Sequence, residues 1–324
     1  MLINNDNLSI VVRAVDERTL IWCKTVLAFE IYGASEGLID TMIPHVSNGD
    51  FHSTLRQSLE VGLSAGKKWH LVVDADVIPY SGSCAAIIAW ADNCSMDVSV
   101  VQPHVCDKLL GVNRPAGVHL YRTSYIAEII ELLKLQGPTL RPETAVLLKY
   151  EKLTNRKFVN VPVLFGAHDF EQSYEDLFRK SFQHGIKHSS IAPMLLQSWF
   201  KKSADDPDFK VALFGYLQGY MSAERNCIDA KNSNILVMFK SILISEKPPL
   251  TPFQFNSKSL KKVYYNPEVS RIGFLSCLPY PNLRMESSIQ EFSSFIKQIF
   301  INIGVFKFAW HCLHIGCRRI FKKN

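Results

Sequence analysis

Two rhythms of apolar and polar residues alternate along the chain, and the switches between them mark its elements. Leu8–Val12 (LSIVV) is a short apolar run rich in β-branched residues, the pattern of a strand buried on both faces. Helical spacing follows through Leu20, Trp22, Val26, Leu27 and Ile31, and Leu38–His45 reads as a second strand. Ser53–Ala65 places Leu55, Leu59, Val61 and Leu63 as a helix would, with Gly66 where a helix stop belongs. Trp69–Val73 (WHLVV) predicts a strong buried strand running into Asp74-Ala75-Asp76. Further on the pattern predicts a helix over Ala85–Trp90, strands over Val98–Pro103 and Gly117–Tyr121, and a helix over Ala127–Leu135. A helix over Pro142–Leu153, with Pro142 at a tolerated first-turn position, then leads to a strand over Phe158–Phe165 and a helix over Phe170–Gly185. Strands alternating with helices predict an α/β domain around a mostly parallel sheet flanked by helices.

Beyond residue 190 the pattern weakens. Leu195–Phe200 and Val211–Glu224 read as helices, and Asn232–Ser245 is apolar. Residues 246–290 hold six prolines and read as an irregular connector, and a long helix is expected from Glu291. The expected organisation is a catalytic domain over 1–190, a helical and irregular extension over 191–290, and a basic amphipathic tail over 291–324.

Composition narrows the class. The chain has 324 residues, 47% hydrophobic and 20% charged, which is globular and can bury a substantial core. Its formal net charge is +6, but the excess is local. From Ser294 to Asn324 there are six basic residues and no acid, so 30 basic and 30 acidic residues remain in the body. A neutral body does not point to nucleic acid, whereas the tail points to an acidic surface such as a membrane. Eight scattered cysteines without a CxxC pair, and a start (MLINNDNLSI) without a signal-peptide pattern, place the expected location in the cytoplasm, peripheral at the inner face of the membrane.

The chemistry concentrates at LVVDADVIP, 71–79. Two aspartates one residue apart at the end of a buried strand face the crevice where open α/β sheets bind ligands. Paired carboxylates there suit a hard cation, Mn²⁺ or Mg²⁺, bridging to phosphate oxygens. A turn in which one aspartate only caps the next helix is the plain alternative.

Four segments in order resemble the GT-A-fold glycosyltransferases, especially the family-2-like enzymes: LSIVVRAVDERTL (8–20), RQSLEVGLSAGKKWHLVVDADVIPYSG (56–82), GVHLYRTS (117–124) and RPETAVLLKYEKLTNRKFVNVPVLFGAHD (141–169). The resemblance covers about residues 8–190. It implies a metal-dependent enzyme that moves a sugar from a nucleotide-sugar donor, a UDP-sugar by default, to a saccharide or lipid-linked acceptor in cell-surface polysaccharide assembly. By resemblance Asp16, Glu17 and Arg56 face the nucleotide, and Asp74 and Asp76 form the metal-binding D-x-D with His168 as a third ligand. Glu143 then falls at the position of the base that takes the acceptor proton, with Asp169 as its rival, and an inverting single displacement follows.

Other readings compete. A haloacid-dehalogenase-like phosphotransferase would use Asp74 as nucleophile and Asp76 as acid, although it expects the motif on its first strand. A non-catalytic transferase-like scaffold is the second rival. His184 and His188, four residues apart with Lys180 and Lys187, read as a solvated basic face before a metal pair. Asp205-Asp206 reads as a solvated turn, and Trp199 and Phe200 read as core.

Overall fold

The computed structural model describes residues 7–33, 43–47, 50–137, 139, 141–188, 191–222, 237–240 and 244–250. They fall into two compact units that divide in sequence between Ser173 and Tyr174. The expected tail over 291–324, most of the proline-rich connector, and residues 38–42 of the second expected strand lie outside the described residues.

The first unit is an α/β domain. In chain order it comprises β1 (Leu8–Arg13), α1 (Leu20–Tyr32), β2 (His45–Val46), α2 (Phe51–Ala65), β3 (Trp69–Asp74), β4 (Val77–Pro79) and α3 (Ser83–Asp92). It continues with β5 (Val98–Asp107), β6 (Val112–Pro115), β7 (Val118–Arg122), α4 (Ile126–Lys134), α5 (Pro142–Thr154) and β8 (Lys157–His168). The sheet order is β2-β1-β3-β7-β5-β8-β4, with β6 on β5.

The sheet is mixed. β1 pairs in parallel with β2 and β3, and β5 with β8. β7 is antiparallel to β3 and β5, β6 to β5, and β4 to β8. The cause lies in β5. It runs on to Asp107 rather than stopping at Pro103, and only 108–111 separate it from β6. Four residues can turn a hairpin but cannot carry a crossover helix. β6 and β7 together are the returning arm of that hairpin, interrupted at Ala116-Gly117. β1, β3, β5 and β8 all run the same way, so their carboxyl ends share one edge.

Each strand sends alternate residues to two apolar layers. Ile10, Val12, Leu71, Val73, Val101 and Leu120 pack with Leu27 and Ile31 of α1 and Ile87 of α3. Val11, Val72, Val100 and Tyr121 pack on the other face with Leu55 and Leu59 of α2, Ile129 and Leu133 of α4, and Val146 and Tyr150 of α5. Helices therefore cover both faces. Local chemistry sets their ends. Asp50 caps α2 by accepting the Ser53 amide at 2.8 Å, and Gly66 closes it in the left-handed conformation.

The second unit holds α6 (Tyr174–Lys187), α7 (Ala192–Lys202) and α8 (Pro207–Met221). α6 and α8 meet backbone to backbone, because Gly215 and Gly219 lie against the carbonyls of Phe178 and Phe182 and leave no room for a Cβ. Trp199 is fully buried, as expected of core. Asp206, expected in a solvated turn, instead caps α8 by accepting the Asp208 amide at 2.9 Å.

Candidate active site

The carboxyl ends of β1, β3, β5 and β8 deliver Arg13, Asp74, Asp107 and His168 to one edge of the sheet, within the first unit. Register fixes the pairs. Arg13 stands opposite Asp74, Asp107 opposite His168, and Val77 opposite His168. Two polar clusters result.

The first is built on Arg13, which is 4% exposed. Its Nε donates to Asp74 Oδ1 at 2.7 Å and its Nη1 to Glu143 Oε2 at 2.9 Å. Glu143 opens α5 just after Pro142 and is itself buried. Its Oε1 accepts from Tyr121 Oη at 2.5 Å and lies 3.1 Å from His119 Nδ1. The Phe51 ring lies 5.0 Å from the Arg13 guanidinium. Burial would raise Glu143, but Arg13, His119 and Tyr121 outweigh it and hold the carboxyl below its ordinary range. Asp74 goes the other way. Burial, with the neighbouring charges of Asp76 and Glu143, pushes it up to about 6 against the pull of Arg13. Burial also takes His119 down to about 4.

The second cluster holds Asp76, His168 and Asp169, all buried, whose ligand atoms lie within 4.8 Å of one another. His168 Nε2 is 3.5 Å from Asp76 Oδ2, and its Nδ1 is 3.1 Å from both Asp107 Oδ2 and Asp169 Oδ2. Burial alone would lower His168, yet Asp169, Asp76 and Asp107 together raise it well above the ordinary histidine value. The Asp169 amide donates to the Asp76 carbonyl at 3.2 Å, which ties the end of β8 to the turn after β3. Asp169 and Asp16 both adopt left-handed backbone, with φ of 62°. Aspartate tolerates that region better than most side chains.

The structure thus brings Asp76 and His168 together and adds Asp169, which sequence reasoning placed as a rival base. The two D-x-D carboxylates have different neighbours: β3 ends at Asp74, the chain turns, and Asp74 meets Arg13 while Asp76 meets His168. Asp16 is exposed in the loop after β1, and Glu17 accepts the Val15 amide there. Thr19 Oγ1 ties the same loop to the D-x-D turn by donating to the Ala75 carbonyl at 2.8 Å. Arg56 stands on α2, 44% exposed and 3.6 Å from Glu60. His184 of α6 and His188, just past its end, stack at 5.2 Å. Among the described residues, Asp76, His168 and Asp169 form the group of three with metal-ligand spacing.

Arg13, Asp107, Arg114, His119 and Tyr121 were missed in the sequence. A signal existed for Arg13, a charge closing an otherwise apolar strand in VVRAVDE. None exists for the meeting of Asp107 with His168, which lies 61 residues away.

No protein-family model matches the chain, and no curated protein matches it. Among solved structures it is similar to a glycosyltransferase involved in the glycosylation of the major capsid of PBCV-1. That similarity covers 48% of this chain and 79% of the other, at 16% identity and a TM-score of 0.32. The functional reading therefore rests on the site's own chemistry and on the sequence motifs.

Among the described residues, no helix is long and apolar enough to cross a membrane.

Proposed function

We propose that the chain is a metal-dependent glycosyltransferase that uses a nucleotide-sugar donor and a saccharide or lipid-linked acceptor. The observation that carries this reading is the buried Asp76–His168–Asp169 cluster at the carboxyl edge of an α/β sheet, where such folds bind ligands. The ordered motifs over residues 8–169 support it. Two carboxylates and one imidazole fit a hard divalent cation, and the imidazole suits Mn²⁺ better than Mg²⁺. Asp76, His168 and Asp169 would hold that cation, whose chemistry when bound is to offset charge developing on a leaving diphosphate.

The protein's own groups divide the remaining work. Arg13 offsets the charge of Asp74 through a hydrogen bond to Oδ1. Glu143 was expected as the base, but a base works best with its pKa near the operating pH. A carboxylate held low by Arg13, His119 and Tyr121 is better suited to anchoring Arg13 than to taking a proton. With Asp169 in the cation cluster, both expected bases are engaged elsewhere, and this weakens the case for inversion. The anomeric configuration of the product tests that course directly.

The test is release of nucleoside diphosphate from a panel of sugar nucleotides, with and without Mn²⁺. Turnover should require the cation and should vanish in Asp76→Ala with the fold retained. Turnover that persists undiminished in excess EDTA, or in Asp76→Ala, ends this reading.

A further inference from the structure

One buried carboxylate beside the cluster has no task in the scheme above. Asp107 ends β5 with its side chain fully buried. Its Oδ1 accepts the Leu110 amide at 2.7 Å. Its Oδ2 takes Arg114 Nε at 2.7 Å and Arg114 Nη2 at 2.6 Å, and lies 3.1 Å from His168 Nδ1. Asp169 Oδ2 lies 3.1 Å from the same nitrogen, and the opposite ring nitrogen, His168 Nε2, faces Asp76. Backbone pairing fixes the arrangement, since Asp107 stands in register with His168 on β8 and with Val112 on β6, two residues before Arg114.

We propose that Asp107, gripped by Arg114, is a positioning residue for the cation site: it accepts the Nδ1 hydrogen of His168 and so leaves Nε2, which faces Asp76, free to ligate. The inference rests on the cation site proposed above. Its physics is simple. An imidazole can ligate through one nitrogen only if that nitrogen carries no hydrogen, and a carboxylate can only accept, so an ionised Asp107 keeps the hydrogen on Nδ1. Arg114, bonded to Asp107 Oδ2 through both Nε and Nη2, supplies the opposite charge that favours an ionised, accepting carboxylate there. An asparagine at 107 would offer an amide that can donate to Nδ1, which allows the hydrogen to sit on Nε2 and block it.

A purely structural role is the rival, because Asp107 also closes the 108–111 turn through Leu110. Affinities for Mn²⁺ and Mg²⁺, measured by calorimetry on the full chain without donor, separate the two when read beside metal-free melting. Asp107→Asn should weaken Mn²⁺ by about 10–100-fold, the usual cost of losing a ligand's outer partner. Mg²⁺ depends less on an imidazole nitrogen, so its affinity should fall less and the Mn²⁺ to Mg²⁺ ratio should narrow. Arg114→Met leaves the Leu110 contact in place and should shift the ratio the same way, and it decides the matter if Asp107→Asn fails to fold. If Asp76→Ala binds Mn²⁺ as well as the wild type does, the cation site itself is wrong. If Asp76→Ala loses Mn²⁺ while both other variants keep wild-type affinities, the positioning role alone is lost. Equal weakening of both cations alongside earlier melting would likewise overturn it in favour of the structural role.

Discussion

At the scale of single residues, the decisive group is Glu143, because two roles for it predict different measurements. Glu143→Gln keeps the shape and can keep the Tyr121 contact, but it removes the negative partner of a buried arginine. Breaking one side of a buried pair costs about 3–5 kcal/mol, since the remaining charge has lost its compensation. As an anchor, Glu143 should therefore show its loss in denaturant melts, with turnover of the folded enzyme reduced by less than about 10²-fold. As a base, it should show an unchanged melt and a fall in kcat of about 10²–10⁴. Stability and kcat measured on the one variant settle the assignment. Sequence could place Glu143 at the start of a helix. It could not show that Arg13, 130 residues earlier, would reach it, because that meeting depends on the pairing of β1 with β3.

At the scale of elements, the contact of α2 with β3 reverses an ordinary rule. A glycine inside a helix is usually improved by alanine, by roughly 0.5–1 kcal/mol. Gly62 lies in α2 directly against the His70 ring, and a Cβ there would run into it. Gly62→Ala should thus destabilise by about 1–3 kcal/mol, the range of overpacked cores, and an equal or higher melting temperature would show that the ring can move aside. His70 also makes the contact sensitive to pH. It is fully buried, its Nε2 lies 2.9 Å from the Ser58 carbonyl and its Nδ1 2.9 Å from Ser9 Oγ. Burial lowers it from 6.5 to about 4. The unfolded chain then takes up a proton near pH 6.5 that the folded chain refuses until about pH 4. Stability is accordingly full above pH 6.5 and falls as pH drops towards 4, by at most about 3 kcal/mol from this group. His119 adds in the same direction. Melts at pH 7.5 and 4.5 should show the loss, and His70→Gln should shrink it; an equal loss in both proteins would clear His70. The strands and helices of this region were legible in the apolar rhythm, down to Gly66 as the stop of α2, whereas its Asp50 cap was not, because the apolar spacing became visible only from Ser53. β4 and β6 were not, for a physical reason: three or four residues such as VIP and VNRP are too short to show a period, and neighbouring strands alone make them strands.

At the scale of the whole molecule, the uneven charge becomes a prediction about where the protein works. The body is neutral and the six excess basic residues stand from Lys297 to Lys323, outside the described residues. Gln298–Cys317 (QIFINIGVFKFAWHCLHIGC) has the length of a spanning helix, but Lys307 sits near its centre. A central lysine costs about 2.5–3.5 kcal/mol on insertion scales, so crossing is a poor use of this segment. Phe295, Ile299, Ile303, Phe306, Trp310, Leu313 and Cys317 recur at three- and four-residue spacing, and Arg318, Arg319, Lys322 and Lys323 close the stretch. An apolar stripe ended by cations fits a helix lying in the interface of an anionic membrane, and under the function proposed above that would bring a lipid-linked acceptor to the protein. The full chain should float with vesicles containing anionic lipid and should release as salt rises, since headgroup attraction is screened within about 10 Å at 0.1 M. A chain ended after Glu291 should stay at the bottom of the gradient and keep its metal-dependent turnover on a soluble acceptor. Should the shortened chain float as well as the full one, or should neither float, the tail is no anchor and packing on the protein becomes the better account of its apolar stripe.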